Sequence, residues 1–303
     1  MDHQADLAHL AHLAHLAIVL APWRLRRTVT LALVIGSVFV AMHQLEQEKT
    51  METMNTTPPR TYVLVHGAFV GAWSWSRVVP ELEAAGHAVY APALTGVGER
   101  AEEATPDVGL LVHIDQITRL VEANDLRDVV LVGHSYGGMV VAGVARRVRR
   151  RIAGIVYVDA FVPEPGQSAF DVLPSLRDAF AALRVPERPW LVAPFPLEAL
   201  GVDDPQLREW AEPQLTPMLW KAVEEALPTD AGDLGDLPTV FVHCARGKFF
   251  DDSAVKLRSQ GIPVMTLDEG HMPHLTSPRR LAAMLIRAEH KLGRRTVSHD
   301  ASS

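Results

Sequence analysis

The stretch VVLVGHSYGGMVV, residues 129–141, decides the fold. Four apolar residues lead into Gly133 and His134. Ser135 follows, and after it come Tyr136, two glycines and a second apolar run. The first half is typical of a buried strand of a parallel sheet, and the second half is typical of a helix. The serine therefore lies at a sharp strand-to-helix turn, where a side chain on a flanking residue would clash with the neighbouring backbone.

A serine at such a turn is a candidate nucleophile. The turn presents the Ser135 hydroxyl ahead of the helix, whose free N–H groups and positive dipole end face the reaction centre. Because a serine hydroxyl attacks weakly until a base takes its proton, we expect a histidine on a late loop. The segment DEGHMPH, residues 268–274, follows the last predicted strand. His271, directly after Gly270, is the candidate base, and His274 is assigned to a supporting or solvent-facing position.

An oxyanion formed in such a reaction needs backbone N–H donors. The first donor is predicted to be Tyr136, the residue after the nucleophile. The second is expected from the loop HGAFVGAWSW, residues 66–75, where Ala68 is the candidate and Gly67 allows close approach of the backbone. His66, on the same loop, is interpreted as a structural hydrogen-bonding residue and not as the base.

Short apolar runs alternate with helical patterns from residue 60 onward. This alternation predicts an α/β fold with a mainly parallel sheet of about six strands and helices on both faces. The core is assigned to residues 60–160 and 238–292. Residues 161–237 are rich in proline, acidic residues and tryptophan and lack a strong strand pattern, so we interpret them as a small helical cap inserted over the sheet. The predicted strands span residues 61–67, 87–94, 128–135, 152–160, 238–245 and 262–270.

The two ends of the chain lie outside this pattern. Residues 1–59 are interpreted as an N-terminal extension with a linker, and residues 293–303 as a flexible tail. Residues 28–42 form an uncharged apolar run, which is shorter than the roughly 20 residues of a membrane-spanning helix. A cytoplasmic protein is the favoured interpretation. A membrane anchor or an export signal is the alternative, with any membrane contact confined to residues 14–42.

Composition narrows the classes of function. The net charge of −7 argues against a nucleic-acid partner. Cys244 is the single cysteine, so an internal disulfide and a cysteine-based zinc site are excluded. A hydrophobic content of 48% supports one large core or two modest ones. The partner we expect is a small molecule, and a homodimer is compatible with the sequence.

These motifs resemble the α/β-hydrolase superfamily, and within it the branch of EstC-type bacterial carboxylesterases, plant methylesterases and hydroxynitrile lyases. The resemblance implies a Ser–acid–His triad, a small cap, no metal and no cofactor. The lyases carry a threonine beside the oxyanion donor and a lysine directly after the catalytic histidine, where this chain has Gly67 and Met272, so lyase activity is not expected. Beside the stretch at 129–141, the similar segments within residues 61–291 include YVLVHGAFVGAW, ALTGVGER, YVDAFVPEPGQS and GVDDPQLREWAEPQLTP.

The acid of the implied triad has two candidate positions. In most of the superfamily it lies a few residues after the strand predicted here at 238–245. Asp251 or Asp252 would then serve, although both also suit the first turn of the following helix. Some members carry the acid at the end of the strand after the nucleophile's helix, where this chain has Asp159. We favour Asp159, because a carboxylate at a buried strand end is costly unless it is paired, and His271 is the expected partner.

The predicted function is that of a carboxylesterase-type serine hydrolase, which cleaves a small, aryl or alkyl ester through an acyl-enzyme on Ser135. A small-molecule receptor on the same fold, with a weak or silent triad, is an alternative from another class. A lyase-like or haloperoxidase-like activity is a further alternative. Apolar residues of the cap either line a substrate site or pack the cap onto the sheet; they are Trp190, Trp210, Trp220, Leu197 and Leu200.

Overall fold

A central sheet of six parallel strands organises the protein, as seen in a computed structural model that describes residues 59–230 and 232–292. In chain order the strands are β1 (Thr61–Val65), β2 (Ala88–Tyr90), β3 (Val129–His134), β4 (Ile152–Val158), β5 (Arg184–Val185), β6 (Arg188–Val192), β7 (Met218–Leu219), β8 (Thr239–Cys244) and β9 (Val264–Leu267). The central sheet has the order β2-β1-β3-β4-β8-β9, and each neighbouring pair in it is parallel.

Helices cover both faces of this sheet. On one face Val65 and Leu131 pack with Ile114 and Val140, and on the other face Leu64 packs in a cluster with residues of the first and last helices. Both faces are buried, which explains why the central strands are continuous apolar runs in the sequence. The α-helices are α1 (Val79–Ala84), α2 (Leu110–Ala123), α3 (Gly137–Arg147), α4 (Ala169–Val172), α5 (Ser175–Ala182), α6 (Pro205–Ala211), α7 (Trp220–Glu224), α8 (Asp251–Ser259), α9 (Pro273–Thr276) and α10 (Pro278–Leu292).

The strand register brings several loops to one edge of the sheet. Val65 of β1 pairs with Gly133 of β3, and Gly133 pairs with Tyr157 of β4. Val158, at the end of β4, pairs with Val242 of β8. Because all these strands run in the same direction, the loops that follow β1, β3, β4, β8 and β9 meet at their carboxyl ends. The sequence predicts its catalytic candidates in these loops.

The segment 161–237 contains strands as well as the predicted helices. Four helices, α4 to α7, lie in it together with a small antiparallel sheet of order β5-β6-β7. These strands are two to five residues long. Runs this short show too little alternation of apolar and polar residues to predict a strand from the sequence.

Two predictions concern parts of the chain outside the described residues. The apolar run at 28–42, with its proposed membrane contact, and the tail at 293–303 both fall there. Within residues 59–230 and 232–292, none of the helices combines the length and the apolar character needed to cross a bilayer.

Candidate active site

The turn between β3 and α3 holds Ser135 in a strained conformation. Its φ is +51°, in the left-handed region that residues other than glycine rarely occupy. A β-carbon on Gly133 would lie 2.7 Å from the carbonyl oxygen of Gly137, and one on Gly137 would overlap the carbonyl of Val65. Side chains at these two positions are therefore excluded by the backbone of β1 and α3, which lets the chain turn sharply at the serine.

Asp159 and His271 lie 112 residues apart in the chain and are joined by a hydrogen bond. His271 Nδ1 donates to Asp159 Oδ2 at 2.6 Å. Asp159 is fully buried, and its Oδ1 accepts the backbone N–H of Cys244 at 3.1 Å. Because a carboxylate only accepts hydrogen bonds, this contact places a proton on Nδ1 of His271 and leaves Nε2 as an acceptor.

Asp251 and Asp252, the other acid candidates, lie on the first turn of α8 and are exposed. The carboxylate of Asp251 accepts a 2.7 Å hydrogen bond from Nε2 of His243. Among the described residues, neither aspartate is hydrogen-bonded to His271. The structure thus brings Asp159, and not these two residues, to the candidate base.

One narrow cavity of about 50 Å³ is lined by both Ser135 and His271. The two oxyanion candidates, Ala68 and Tyr136, line the same cavity. In the part of the chain that the structure describes, the backbone N–H groups of Ala68 and Tyr136 donate to no protein acceptor. The nucleophile candidate, the base candidate and the two residues proposed to supply N–H donors therefore line a common space.

His66 and His274 have structural positions. His66 Nδ1 donates to the carbonyl of Gly67 at 2.8 Å, and its Nε2 accepts the N–H of Leu94 at 3.0 Å. Burial lowers the pKa of His66 to about 4. His274 is fully buried, so the solvent-facing alternative for it is wrong. Its position follows from the packing of α9 against the loop after β1, which the sequence does not reveal.

The rings of His134, His274 and Trp75 form a cluster next to His271, the candidate base. The ring centroid of His274 lies 4.3 Å from that of His134 and 5.1 Å from that of Trp75. Neither nitrogen of His274 has a hydrogen-bond partner among the described residues, and burial lowers its pKa to about 3. His134 Nε2 donates to the carbonyl oxygen of His271 at 2.7 Å, and burial holds the pKa of His134 well below its usual range. Both histidines therefore stay neutral beside His271 at neutral pH.

Apolar side chains form most of the cavity wall, and the sequence identified few of them. Of the five cap residues singled out, only Leu200 lines the cavity. Trp220 packs on Phe170, and Trp210 is 43% exposed beside Trp73. The lining residues that were missed come from loops and short helices without periodic patterns; they are Phe69, Phe161, Leu173, Leu176, Phe180, Phe195, Val223, Phe249 and Phe250. Phe161 and the Phe249–Phe250 pair could have been found, because Phe161 directly follows a predicted strand and the pair lies within five residues of the end of another.

The known proteins that this chain resembles are alpha/beta hydrolases, and several of them are esterases. The sequence model of the alpha/beta hydrolase family matches residues 62–284. A carbendazim hydrolyzing esterase from Nocardioides sp. (strain SG-4G) is 39% identical over an alignment of 175 residues, and the match covers 55% of this chain and 72% of that protein. Methylesterase 1 from Arabidopsis thaliana is 28% identical over 260 residues, covering 76% of this chain and 96% of that one. An extracellular alpha/beta-hydrolase from a Paenibacillus species, a solved structure, has 26% identity and a TM-score of 0.67, covering 76% of this chain and 99% of its own.

Proposed function

Because the chain belongs to the alpha/beta hydrolase family and is a carboxylesterase-type hydrolase, we propose that it cleaves carboxylic esters through an acyl-enzyme intermediate on Ser135. In this proposal His271 is the general base and Asp159 is the acid of the triad. One observation carries the proposal: His271 Nδ1 donates a 2.6 Å hydrogen bond to Asp159 Oδ2 at the wall of a cavity that Ser135 also lines.

The reaction starts at the Ser135 hydroxyl. As Oγ attacks the ester carbonyl carbon, Nε2 of His271 takes the hydroxyl proton, and the carboxylate of Asp159 stabilises the imidazolium that forms. The carbonyl oxygen becomes an oxyanion, which accepts hydrogen bonds from the N–H groups of Ala68 and Tyr136. The positive end of the α3 dipole stabilises the same negative charge.

The tetrahedral intermediate then collapses. The bond from the carbonyl carbon to the alcohol oxygen breaks, and His271 gives its proton to the departing alcohol. The acyl group stays on Ser135 as an ester. A water molecule attacks that ester, His271 takes one of the water protons, and a second collapse releases the carboxylic acid and returns the proton to Oγ of Ser135.

The cavity favours an uncharged ester with an apolar aromatic or branched part. Phenylalanine, leucine, valine and methionine side chains form most of its wall, and no lysine or arginine of the described residues lines it. A carboxylate carried into this space would lose its hydration without gaining a cationic partner. We therefore expect kcat/KM for a neutral aryl ester to exceed that for the same ester with a distal carboxylate by about 100-fold or more.

Lyase activity is disfavoured by the geometry at Gly67. A β-carbon there would lie 2.9 Å from both Nδ1 of His134 and Cβ of Ser135, so a threonine does not fit beside the oxyanion donor. Met272 is buried and carries no charge, and it lies where a lyase would have its lysine. The site therefore lacks both groups that would act on a departing cyanide.

Release of 4-nitrophenol from a neutral aryl ester tests the proposed function. We expect a burst close to the enzyme concentration, because 4-nitrophenolate is a good leaving group and acylation should be faster than the attack of water on the acyl-enzyme. Ser135→Ala should lower kcat by on the order of 10⁴-fold or more, since the members of a triad act as a unit. Ser259→Ala is the matched control, because Ser259 is exposed and does not line the cavity.

A second measurement separates an esterase from a binding protein with the same fold. A fluorophosphonate should label Ser135, and mass spectrometry of the digested protein locates the adduct. A receptor with a silent triad would bind apolar ligands without a burst and without the adduct. Near wild-type turnover by Ser135→Ala would refute the mechanism.

A further inference from the structure

Phe69 has an unusual backbone conformation beside the oxyanion candidate Ala68. Its φ is +69°, and a bulky aromatic residue in the left-handed region is a genuine outlier. Such a conformation costs about 1–3 kcal/mol and persists only where the surroundings hold it. The contacts that hold Phe69 therefore also decide the path of the loop that carries Ala68.

Three contacts from the segment 161–237 hold this residue. The carbonyl oxygen of Phe69 accepts the backbone N–H of Thr216 at 2.9 Å. The ring centroid of Phe69 lies 5.5 Å from that of Phe180 and 5.6 Å from that of Phe195. Phe180 and Phe195 are themselves 5.6 Å apart, so the three rings form a closed triangle. Phe69 and Phe180 are buried, and aromatic pairs at these separations attract one another.

Thr216 also ties this arrangement to a second loop. Its Oγ1 accepts the N–H of Gly98 at 2.8 Å. The next residue, Glu99, accepts the N–H groups of Ala72 and Trp73 at 3.0 and 2.7 Å. Glu99 thus fixes the loop after β1 on the C-terminal side of Phe69, and Thr216 fixes it at Phe69 itself. Any relaxation of φ at Phe69 must then displace the preceding residue, Ala68.

We propose that Thr216, Phe180 and Phe195, together called the Phe69 clamp, are positioning residues that aim the N–H of Ala68 at the oxyanion. This inference rests on the proposed function, because it needs an ester reaction with an oxyanion. The clamp acts on the transition state more than on the bound ester, since the negative charge develops only as Ser135 attacks. Loss of the clamp should therefore lower kcat and leave KM nearly unchanged.

Thr216→Val is the decisive variant. It keeps the size of the side chain and the backbone N–H that binds Phe69, but removes the oxygen that anchors residue 216 to Gly98. Thr216 does not line the cavity. We expect kcat to fall about fivefold with KM changed less than about twofold, because a shift of a fraction of an ångström in a donor has this kind of effect. Thr216→Ser, which keeps the hydroxyl, should restore kcat.

Phe180→Leu is the second variant, and Phe170→Leu is its control. Phe170 lies in the same segment and contacts Phe180 and Trp220, but it makes no ring contact with Phe69. We expect Phe180→Leu to lower kcat more than Phe170→Leu does, at a similar loss of thermal stability. An aryl trifluoromethyl ketone, which forms a tetrahedral adduct with a serine, should bind Thr216→Val and Phe180→Leu more weakly in proportion to their loss of kcat/KM.

The outcomes are distinct. Equal kcat and equal ketone affinity in Thr216→Val, Thr216→Ser and the unaltered enzyme would overturn the clamp. A crystal structure of a fully active Thr216→Val protein in which the loop after β1 has moved would also overturn it. Absence of any Ser135-dependent turnover in the unaltered enzyme would instead overturn the proposed function, and this inference with it.

Discussion

A β-carbon built on Gly247 would lie 3.1 Å from Oδ2 of Asp159 and 3.1 Å from the backbone nitrogen of His271. Gly247 follows the end of β8, and Asp159 follows the end of β4, which is the neighbouring strand. Two loops therefore offer positions around the same volume next to the candidate base. In this chain the loop after β4 supplies the carboxylate, and the loop after β8 supplies a residue without a side chain.

This relationship predicts that the acid can be moved. Asp159→Gly should lower kcat by on the order of 10³–10⁴-fold, because the imidazolium loses its partner. Glycine suits this position, where φ is +43°. Adding Gly247→Asp should recover at least about tenfold in kcat, because the new carboxylate enters the space that Asp159 leaves. Gly247→Asn in the same Asp159→Gly background is the control of equal size without charge, and an equal recovery by both would contradict the prediction.

The assignment of the acid itself is tested by three single substitutions. Asp159→Asn should lower kcat by about 10³-fold or more, because an amide supports the wrong tautomer of His271. Asp251→Asn and Asp252→Asn should stay within about twofold of the unaltered enzyme, since both carboxylates are exposed on α8. Steady-state kinetics with one aryl ester compare all three. A large loss confined to Asp251→Asn would transfer the role to that residue.

Sequence periodicity was enough to predict the sheet and its helices. The six runs predicted as strands each contain one strand of the central sheet, because buried parallel strands are continuous apolar runs. The strand-to-helix turn at Ser135 followed from local sterics alone. The sequence favours Asp159 over Asp251 and Asp252 through the cost of an unpaired carboxylate at a buried strand end, but it leaves all three open, because the acid depends on which loop reaches His271 across 112 residues of chain.

The cavity wall and the ring cluster were beyond sequence reasoning for a different reason. Phe69, Phe180 and Phe195 come from separate loops and a short helix, and nothing in the periodicity of these segments indicates that their rings meet. The sequence leaves a supporting and a solvent-facing position open for His274. It is buried against Trp75 and His134, where tertiary packing overrides the polarity of its ring.

Buried neutral His274 should make the fold sensitive to acid. Its pKa is about 3 in the folded protein and near 6.5 in an unfolded chain. Below pH 6.5 the unfolded state binds a proton that the folded state does not, so the free energy of unfolding falls as the pH decreases toward 3. Between pH 7 and pH 5 the loss from one such histidine is about 2 kcal/mol.

His274→Leu removes this contribution. Urea unfolding at pH 7 and at pH 5 should show a pH-dependent loss that is smaller by about 2 kcal/mol in the variant than in the unaltered protein. No hydrogen bond of a described residue is lost in the change, because neither ring nitrogen has a partner there. Identical pH dependence in the two proteins would show that His274 gains its proton in the folded state as readily as in the unfolded one.

Deletion of residues 1–50 should leave an active hydrolase. Every residue of the candidate site and every strand of the central sheet follows residue 59. We expect kcat/KM within about twofold of the full chain and a cooperative thermal unfolding transition, followed by circular dichroism. A truncated protein that fails to fold, at a concentration where the full chain folds, would mean that the extension contributes to the core.

The adjacency of β4 and β8 has a consequence for engineering. The segment 161–237 leaves the sheet after β4 and returns at the neighbouring strand β8, so it could be replaced as a unit without changing the order of the strands. A graft from another esterase that matched only those two strand ends would leave Phe69 without Thr216, Phe180 and Phe195. The grafted enzyme would then gain a new substrate preference but have a lower kcat. Two changes would avoid this loss: a donor segment that supplies equivalents of the three contacts, or glycine at position 69.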